Sequence, residues 1–167
     1  MCGIIGYIGE RQVLPILLEG LRRLEYRGYD SAGVVFLEDK KINIIKVKGR
    51  IFSLEEKIFN QIPKNPQSPG LGHTRWATHG EPSDENAHPH FDCKKMLAVV
   101  HNGIIENYYE LKKELQEKGH KFNSATDTEV IVHLVEDYVN QGLDLKTAFF
   151  SALKRLKGAY AIGLISK

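Results

Sequence analysis

The sequence predicts an α+β fold with mainly antiparallel sheets, and three observations carry that expectation. Apolar runs of strand length come in pairs near both ends of the chain, helical patterns lie between and after them, and neither GxGxxG nor a Walker lysine motif occurs. Paired strands with segregated helices argue against a doubly wound parallel sheet, where strand and helix alternate. At 167 residues the chain fits one domain with a substantial core.

The elements follow in order. Ile4, Ile5, Tyr7 and Ile8 read as a buried strand, with Gly3 and Gly6 leaving room around its start. Val13, Leu14, Leu17, Leu18, Leu21 and Leu24 recur at helical spacing, which predicts an amphipathic helix over 11–25; Pro15 falls in its first turn, where a missing N–H does little harm. Val34–Leu37 and Ile42–Val47 are the arms of a hairpin turning at Glu38-Asp39-Lys40-Lys41. Ser53 and Glu56 read as a capping box for a short helix over 54–61. Three prolines and a glycine mark 63–70 as a loop, and Leu71–Thr74 reads as a short strand. A polar loop then runs to about His90, longer than connection alone requires and therefore suspected of function. Met96–Val100 is a buried strand, and Asn107 with Glu110 opens a helix that Gly119 closes. Thr126 and Glu129 form a second capping box, ahead of a helix with Val130, Ile131, Leu134, Val135 and Tyr138 on one face. Asp144 caps a last helix stopped by Gly158, and Ala159–Ile165 is the final strand.

Charge and composition narrow the function. A net charge of +2 with interspersed signs leaves no electrostatic footprint for nucleic acid or an anionic membrane. No charged start precedes an apolar run, and no stretch is long enough to span a bilayer. The expectation is a cytoplasmic chain with neither nucleic acid nor membrane as partner. Cys2 and Cys93 are the only cysteines, and they read as reduced thiols rather than a disulfide.

Cys2 stands directly behind the initiator methionine, so removal of Met1 would give it a thiol and a free α-amine on one residue. Their unperturbed pKa values, about 8.5 and about 7.7–8.0, let a proton pass between them at little cost near neutral pH. A bridging water relieves the tight ring that direct transfer would close. A nucleophile attacking a carbonyl needs donors for the oxyanion, and Asn102-Gly103 at the end of a buried strand offers a side-chain amide and a backbone N–H. The same dipeptide is also the commonest hairpin turn. Arg75, with Thr78 and His79, could grip a carboxylate, and Asp127 could accept from an ammonium group or simply sit at a helix start. His73, His79, His88, His90 and His101 crowd one region, but their spacing fits no zinc ligand pattern, and no metal is expected.

Cys2-Gly3-Ile4-Ile5-Gly6 resembles the start of the class II glutamine amidotransferases, whose glutaminase domains are N-terminal nucleophile hydrolases. Arg27-Gly28-Tyr29-Asp30-Ser31-Ala32-Gly33, the block from His73 to Gly80, His101-Asn102-Gly103 and Thr126-Asp127-Thr128-Glu129 narrow the resemblance to the glutamine–fructose-6-phosphate amidotransferases. It covers essentially the whole chain, down to Gly158-Ala159-Tyr160-Ala161. The resemblance implies a four-layer αββα sandwich and no cofactor. It implies Cys2 as nucleophile with its own α-amine as base, and Asn102 and Gly103 as the oxyanion hole. Arg75, Thr78 and His79 would hold the carboxylate of L-glutamine and Asp127 its ammonium. Arg27 would support the thiolate, and Trp76 would shield the site in a loop that closes over substrate. Residues 1–167 would be the glutaminase domain of a longer, homodimeric chain. Its sugar-isomerase domains, absent here, would use the ammonia to turn fructose 6-phosphate into glucosamine 6-phosphate. Alternatives are the glutaminase of a purine- or asparagine-forming amidotransferase, a non-catalytic amino-acid-binding module if Met1 is retained, and a zinc hydrolase built on the histidines.

Overall fold

A computed structural model describes residues 2–61 and 63–167; Met1, on whose removal the Cys2 chemistry depends, lies outside the described residues. Among the described residues, seven strands and five α-helices form two antiparallel sheets between two helical layers, the four-layer αββα sandwich expected of an N-terminal nucleophile hydrolase. The first sheet has the order β1–β4–β2–β3, from Gly3–Tyr7, Gln67–Arg75, Ser31–Glu38 and Lys41–Lys48. The second has the order β5–β6–β7, from His90–Phe91, Leu97–Gly103 and Tyr160–Ser166. Helices α1 (Val13–Leu24) and α2 (Ile51–Gln61) cover one outer face, and α3 (Tyr108–Glu117), α4 (Glu129–Asn140) and α5 (Leu145–Leu153) cover the other.

Strand alternation builds the layers. Ala32, Val34 and Phe36 of β2 point at α1 and α2, while Val35 between them packs with Ala98 and Ile165 in the seam between the sheets. On β6, Leu97 and Val99 face the helices and Ala98 faces the seam. Both faces of β2 are therefore covered, which is why its sequence is an unbroken apolar run. Asp39 and Lys40 take positive φ of 49° and 59° in the two-residue β2–β3 turn, the conformation that right-twisted hairpins demand.

Five expectations need correction. β1 is an edge strand and only partly buried, and Ile8 beyond it is 81% exposed. β4 begins at Gln67 rather than Leu71; Pro69 is accommodated where the β2–β4 register shifts, a place where a missing N–H breaks no ladder. α2 starts at Ile51, so Ser53 lies inside it and caps nothing; the phenol oxygen of Tyr29 accepts the Ile51 N–H at 2.8 Å instead. Thr126 does not cap α4 either. Glu129 reaches further back, accepting the N–H groups of Asn123 at 2.8 Å and Ser124 at 2.7 Å. Finally α4 is not one-sided: residues 129–136 are all buried, because the helix is wedged between β6 and its neighbours α3 and α5. Asn107 stands before α3 but ties down the end of α5, donating to Arg155 O and accepting from Lys157 N at 2.9 Å each. Asp144 caps α5 as expected, accepting the Thr147 N–H at 3.1 Å.

Candidate active site

The two sheets bring four strand ends to one place. Gly3 pairs with Thr74 and Ser31 pairs with Arg75, so the residue before β1 lies beside the last residue of β4. Asn102 and Gly103 end β6 on the facing sheet, paired with Ala161 and Tyr160. Asn102-Gly103 is thus a strand end, not a hairpin turn. Gly103 has φ of 119°, and a Cβ there would stand 2.1 Å from the Ala159 carbonyl oxygen, so no other residue fits.

Cys2 is half-buried, and its Sγ accepts the Trp76 N–H at 3.2 Å. Asn102 Nδ2 donates to the Cys2 carbonyl at 3.4 Å, which puts the amide within reach of the thiol's surroundings. Its orientation is set from behind. His73 Nε2 lies 3.0 Å from the His101 carbonyl and 2.9 Å from Asn102 Oδ1. Both partners are acceptors, so His73 carries its proton on Nε2, and Asn102 must present its NH2 end to Cys2. Burial pushes His73 down to about 4, so the imidazole is neutral at physiological pH. Sequence reasoning missed this positioning residue, counting His73 only as one of several clustered histidines.

Arg75 is buried at the end of β4. Its Nη2 donates to the carbonyls of His79 and, at 3.0 Å, Gly80, which fixes the loop, while its Nη1 is buried without a hydrogen-bond partner. Burial pulls this guanidinium below its ordinary pKa, opposed by Asp30, Cys2 and Asp127 nearby, but arginine remains charged. Asp127 gives one oxygen to the Ile105 N–H at 2.8 Å, and its other oxygen faces His79 Nδ1 at 4.0 Å. Asp30, whose role was not read from the sequence, accepts the Ala77 N–H at 2.6 Å and so pins the loop that follows Trp76.

Cys2, Arg75, Trp76, Thr78, Gly103 and Asp127 line one cleft with His88, His101 and Thr128. The cleft is nearly filled by its own side chains and has room for about one water molecule. Trp76 is 53% exposed and lies over Gly28, where a Cβ would come within 3.0 Å of its ring. Larger clefts occur beside Lys46 and between α1 and α2, but neither is lined by a cysteine, serine or threonine. Arg27 lies in the 3-10 turn after α1, where its Nε donates to the Tyr26 hydroxyl at 3.3 Å. The clustered histidines are packing partners: His73 stacks on His88 at 4.2 Å, and Thr128 Oγ1 bridges His88 Nε2 at 3.1 Å and His101 Nδ1 at 2.9 Å.

Comparison with known proteins gives this geometry a family. The glutamine amidotransferase domain family matches residues 62–167. Curated relatives called glutamine–fructose-6-phosphate aminotransferase [isomerizing] are 55% identical to the chain in both Clostridium tetani, over 99% of it, and Pyrococcus horikoshii, over 97%. The chain spans only about a quarter of their length, 26% and 27%. Among solved structures, the glutamine phosphoribosylpyrophosphate amidotransferase of B. subtilis superposes with a TM-score of 0.75 at 30% identity, over 99% of this chain and 34% of that one. A structure described as the allosteric regulatory enzyme of purine biosynthesis reaches 0.81 at 30% identity, over 98% of this chain and 35% of that one. Fold, strand-end cleft and sequence agree, and the chain belongs to the glutamine amidotransferase family.

Proposed function

We propose that this chain is a glutaminase that converts L-glutamine to glutamate and ammonia through a Cys2 thioester, and that the ammonia serves glucosamine 6-phosphate synthesis from fructose 6-phosphate. The observation that carries the reading is the buried, unpartnered Nη1 of Arg75 in the same cleft as Cys2. An orphaned charged donor is costly to keep dry unless a ligand acceptor completes it. An α-carboxylate placed there, with Thr78 and His79 beside it and its ammonium at Asp127, directs a side chain of glutamine length towards Cys2.

The chemistry then follows from the residues in place. With Met1 removed, the Cys2 α-amine takes the thiol proton and the thiolate adds to the side-chain amide carbon. Asn102 Nδ2 and the Gly103 N–H stabilise the oxyanion, each donor contributing about 3 kcal/mol in a dry, preorganised site. Collapse breaks the C–N bond, and the α-ammonium returns its proton to the departing ammonia. Water, deprotonated by the same amine, hydrolyses the thioester and frees glutamate. Arg27 supports the thiolate electrostatically, and Trp76 screens the site from bulk water. Because the cleft has room for about one water, glutamine enters only if groups lining it move, and the loop after Arg75, which carries Trp76 and Thr78, is the segment we assign to that motion.

The sugar acceptor rests on the names of the more similar relatives, which favour it over the purine branch. In that reading residues 1–167 are the glutaminase domain of a longer, homodimeric enzyme whose sugar-isomerase domains receive the ammonia. Arg75→Lys tests the binding role, since lysine cannot make two parallel bonds to a carboxylate. KM for glutamine should rise at least tenfold with kcat changed less; an unchanged KM would remove Arg75 from the substrate site.

A further inference from the structure

A second cluster lies away from the catalytic cleft. Cys93 is in the β5–β6 turn, His120 follows α3, and His133 and Glu136 stand one turn apart on α4. One ligand atom from each falls within 4.8 Å of all the others. Cys93 Sγ is 3.8 Å from His120 Nδ1 and 3.7 Å from His133 Nδ1. Glu136 Oε2 is 2.9 Å from the first of these nitrogens and 3.1 Å from the second. A tetrahedral zinc ion, with bonds of about 2.3 Å to sulfur and about 2.0–2.2 Å to nitrogen and oxygen, separates its ligand atoms by about 3.3–3.6 Å. Four of the six edges, those from either nitrogen to the sulfur and to the carboxylate oxygen, already stand within a few tenths of an ångström of that range, and the other two are no longer than 4.8 Å.

We propose that Cys93, His120, His133 and Glu136 bind one zinc-type divalent ion, which staples the β5–β6 turn to α3 and α4. Three further features fit. The outer nitrogen of each imidazole faces a carboxylate: His120 Nε2 is 3.7 Å from Asp137 Oδ1, and His133 Nε2 is 3.6 Å from Glu129 Oε1. Both carboxylates stand just outside hydrogen-bond range, on the side where a histidine with its metal on Nδ1 and its proton on Nε2 needs an acceptor. Glu136 Oε2 is approached by three groups, the Cys93 N–H at 3.2 Å and both Nδ1 atoms, more donors than one carboxylate oxygen has lone pairs. A metal held by the two nitrogens relieves that crowding. The Lys121 N–H points at Cys93 Sγ from 3.4 Å, a donor suited to a thiolate.

Thiolate, carboxylate and two neutral imidazoles also balance a doubly charged ion, so the partly buried site would carry no net charge. The ligand set, with one sulfur and two nitrogens, selects zinc over magnesium or calcium. All four positions are filled by protein, which makes the site structural. It sits at the start of β6, whereas Asn102 and Gly103 lie at the other end of that strand, about 16 Å away at about 3.3 Å per residue. The proposal therefore stands independently of the glutaminase reading.

The test uses the chain purified without chelator, and then stripped and reloaded with Zn²⁺ or Co²⁺. Elemental analysis should find about one zinc per chain, reloading should raise Tm, and the cobalt form should show a thiolate-to-cobalt charge-transfer band. Cys93→Ser should abolish the band, and Asp137→Asn should weaken metal affinity by about 10–100-fold with the ligands intact. If Cys93→Ser does not fold, wild type and Asp137→Asn still decide the matter. Folded wild-type protein that takes up no Zn²⁺ or Co²⁺ with Tm unmoved would overturn the proposal. So would a cobalt spectrum that is the same in folded Cys93→Ser.

Discussion

A side-chain amide has a donor end and an acceptor end, and at Asn102 the choice between them is made by His73. With its Nε2–H on Asn102 Oδ1 at 2.9 Å, the neutral imidazole leaves only the NH2 end for the Cys2 side of the cleft. Asn102→Ala should lower kcat by about 10²–10³ with little change in KM, as expected for a donor that acts on the oxyanion and not on the ground state. Steady-state glutamine hydrolysis checks it, and a kcat near wild type would remove Asn102 from the oxyanion hole. Cys2, Asn102, Arg75 and Asp127 stood out in the sequence as candidates through residue type combined with the family resemblance, and the structure brings Cys2, Arg75 and Asp127 into one cleft with Asn102 against the Cys2 carbonyl. His73 was not legible in that way, since its work is a hydrogen bond between facing sheets, to partners 28 and 29 positions away. The Cys93 group escaped for a similar reason. Its four residues come from a turn, a helix end and a helix face, and the expectation of no metal weighed Cys93 only against the histidines from His73 to His101, not against His120 and His133.

At the scale of elements, periodicity and cap signals placed the five described α-helices and most strands, while the ends were set by contacts that no local pattern contains. The start of α2 is the clearest case. A capping box at Ser53 and Glu56 is a sound local reading, yet the helix begins at Ile51 because the Tyr29 hydroxyl accepts its N–H and in turn donates to Glu25. Burial and the Glu25 carboxylate push the Tyr29 hydroxyl up to about 12, so it keeps its proton throughout the neutral range. Tyr29→Phe should destabilise the fold by about 1 kcal/mol, the usual net contribution of a hydrogen bond. Urea titration measures it, and an unchanged midpoint would show that Ile51 is satisfied in another way. β4 was shortened in the sequence reading for the converse reason: Pro69 argues locally for a loop, but the register shift beside it lets the strand run on.

For the whole molecule, buried histidines near the seam between the sheets contribute to the pH behaviour. His73, His88 and His90 are buried there and at its mouth, all held below the ordinary imidazole range chiefly by burial. An unfolded imidazole takes up its proton near pH 6.5, whereas folded His73 resists until about 4. The unfolded chain therefore binds more protons in that window, and stability should fall as pH drops from about 6.5 to 4, by on the order of 3 kcal/mol for His73 alone. Above pH 6.5 this contribution is complete and should not vary. Denaturant midpoints measured across pH 4–8 check the sign; a midpoint that rises on acidification would contradict it. The α+β class was legible from paired strands and segregated helices, and the four-layer order only through the family resemblance. The depth of the histidines was not, because a polar residue in a strand gives no sign of facing a second sheet.

The thiol of Cys2, freed with its α-amine, is the centre of the account, and mass spectrometry of the intact chain before and after a diazoketone analogue of glutamine tests it most directly. The untreated mass should lack Met1. Treatment should add one equivalent, mapped to Cys2 by peptide analysis and blocked by excess glutamine, with hydrolysis lost in proportion. A chain without Met1 that hydrolyses glutamine but is labelled at Cys93, or not at all, would contradict Cys2 as the nucleophile.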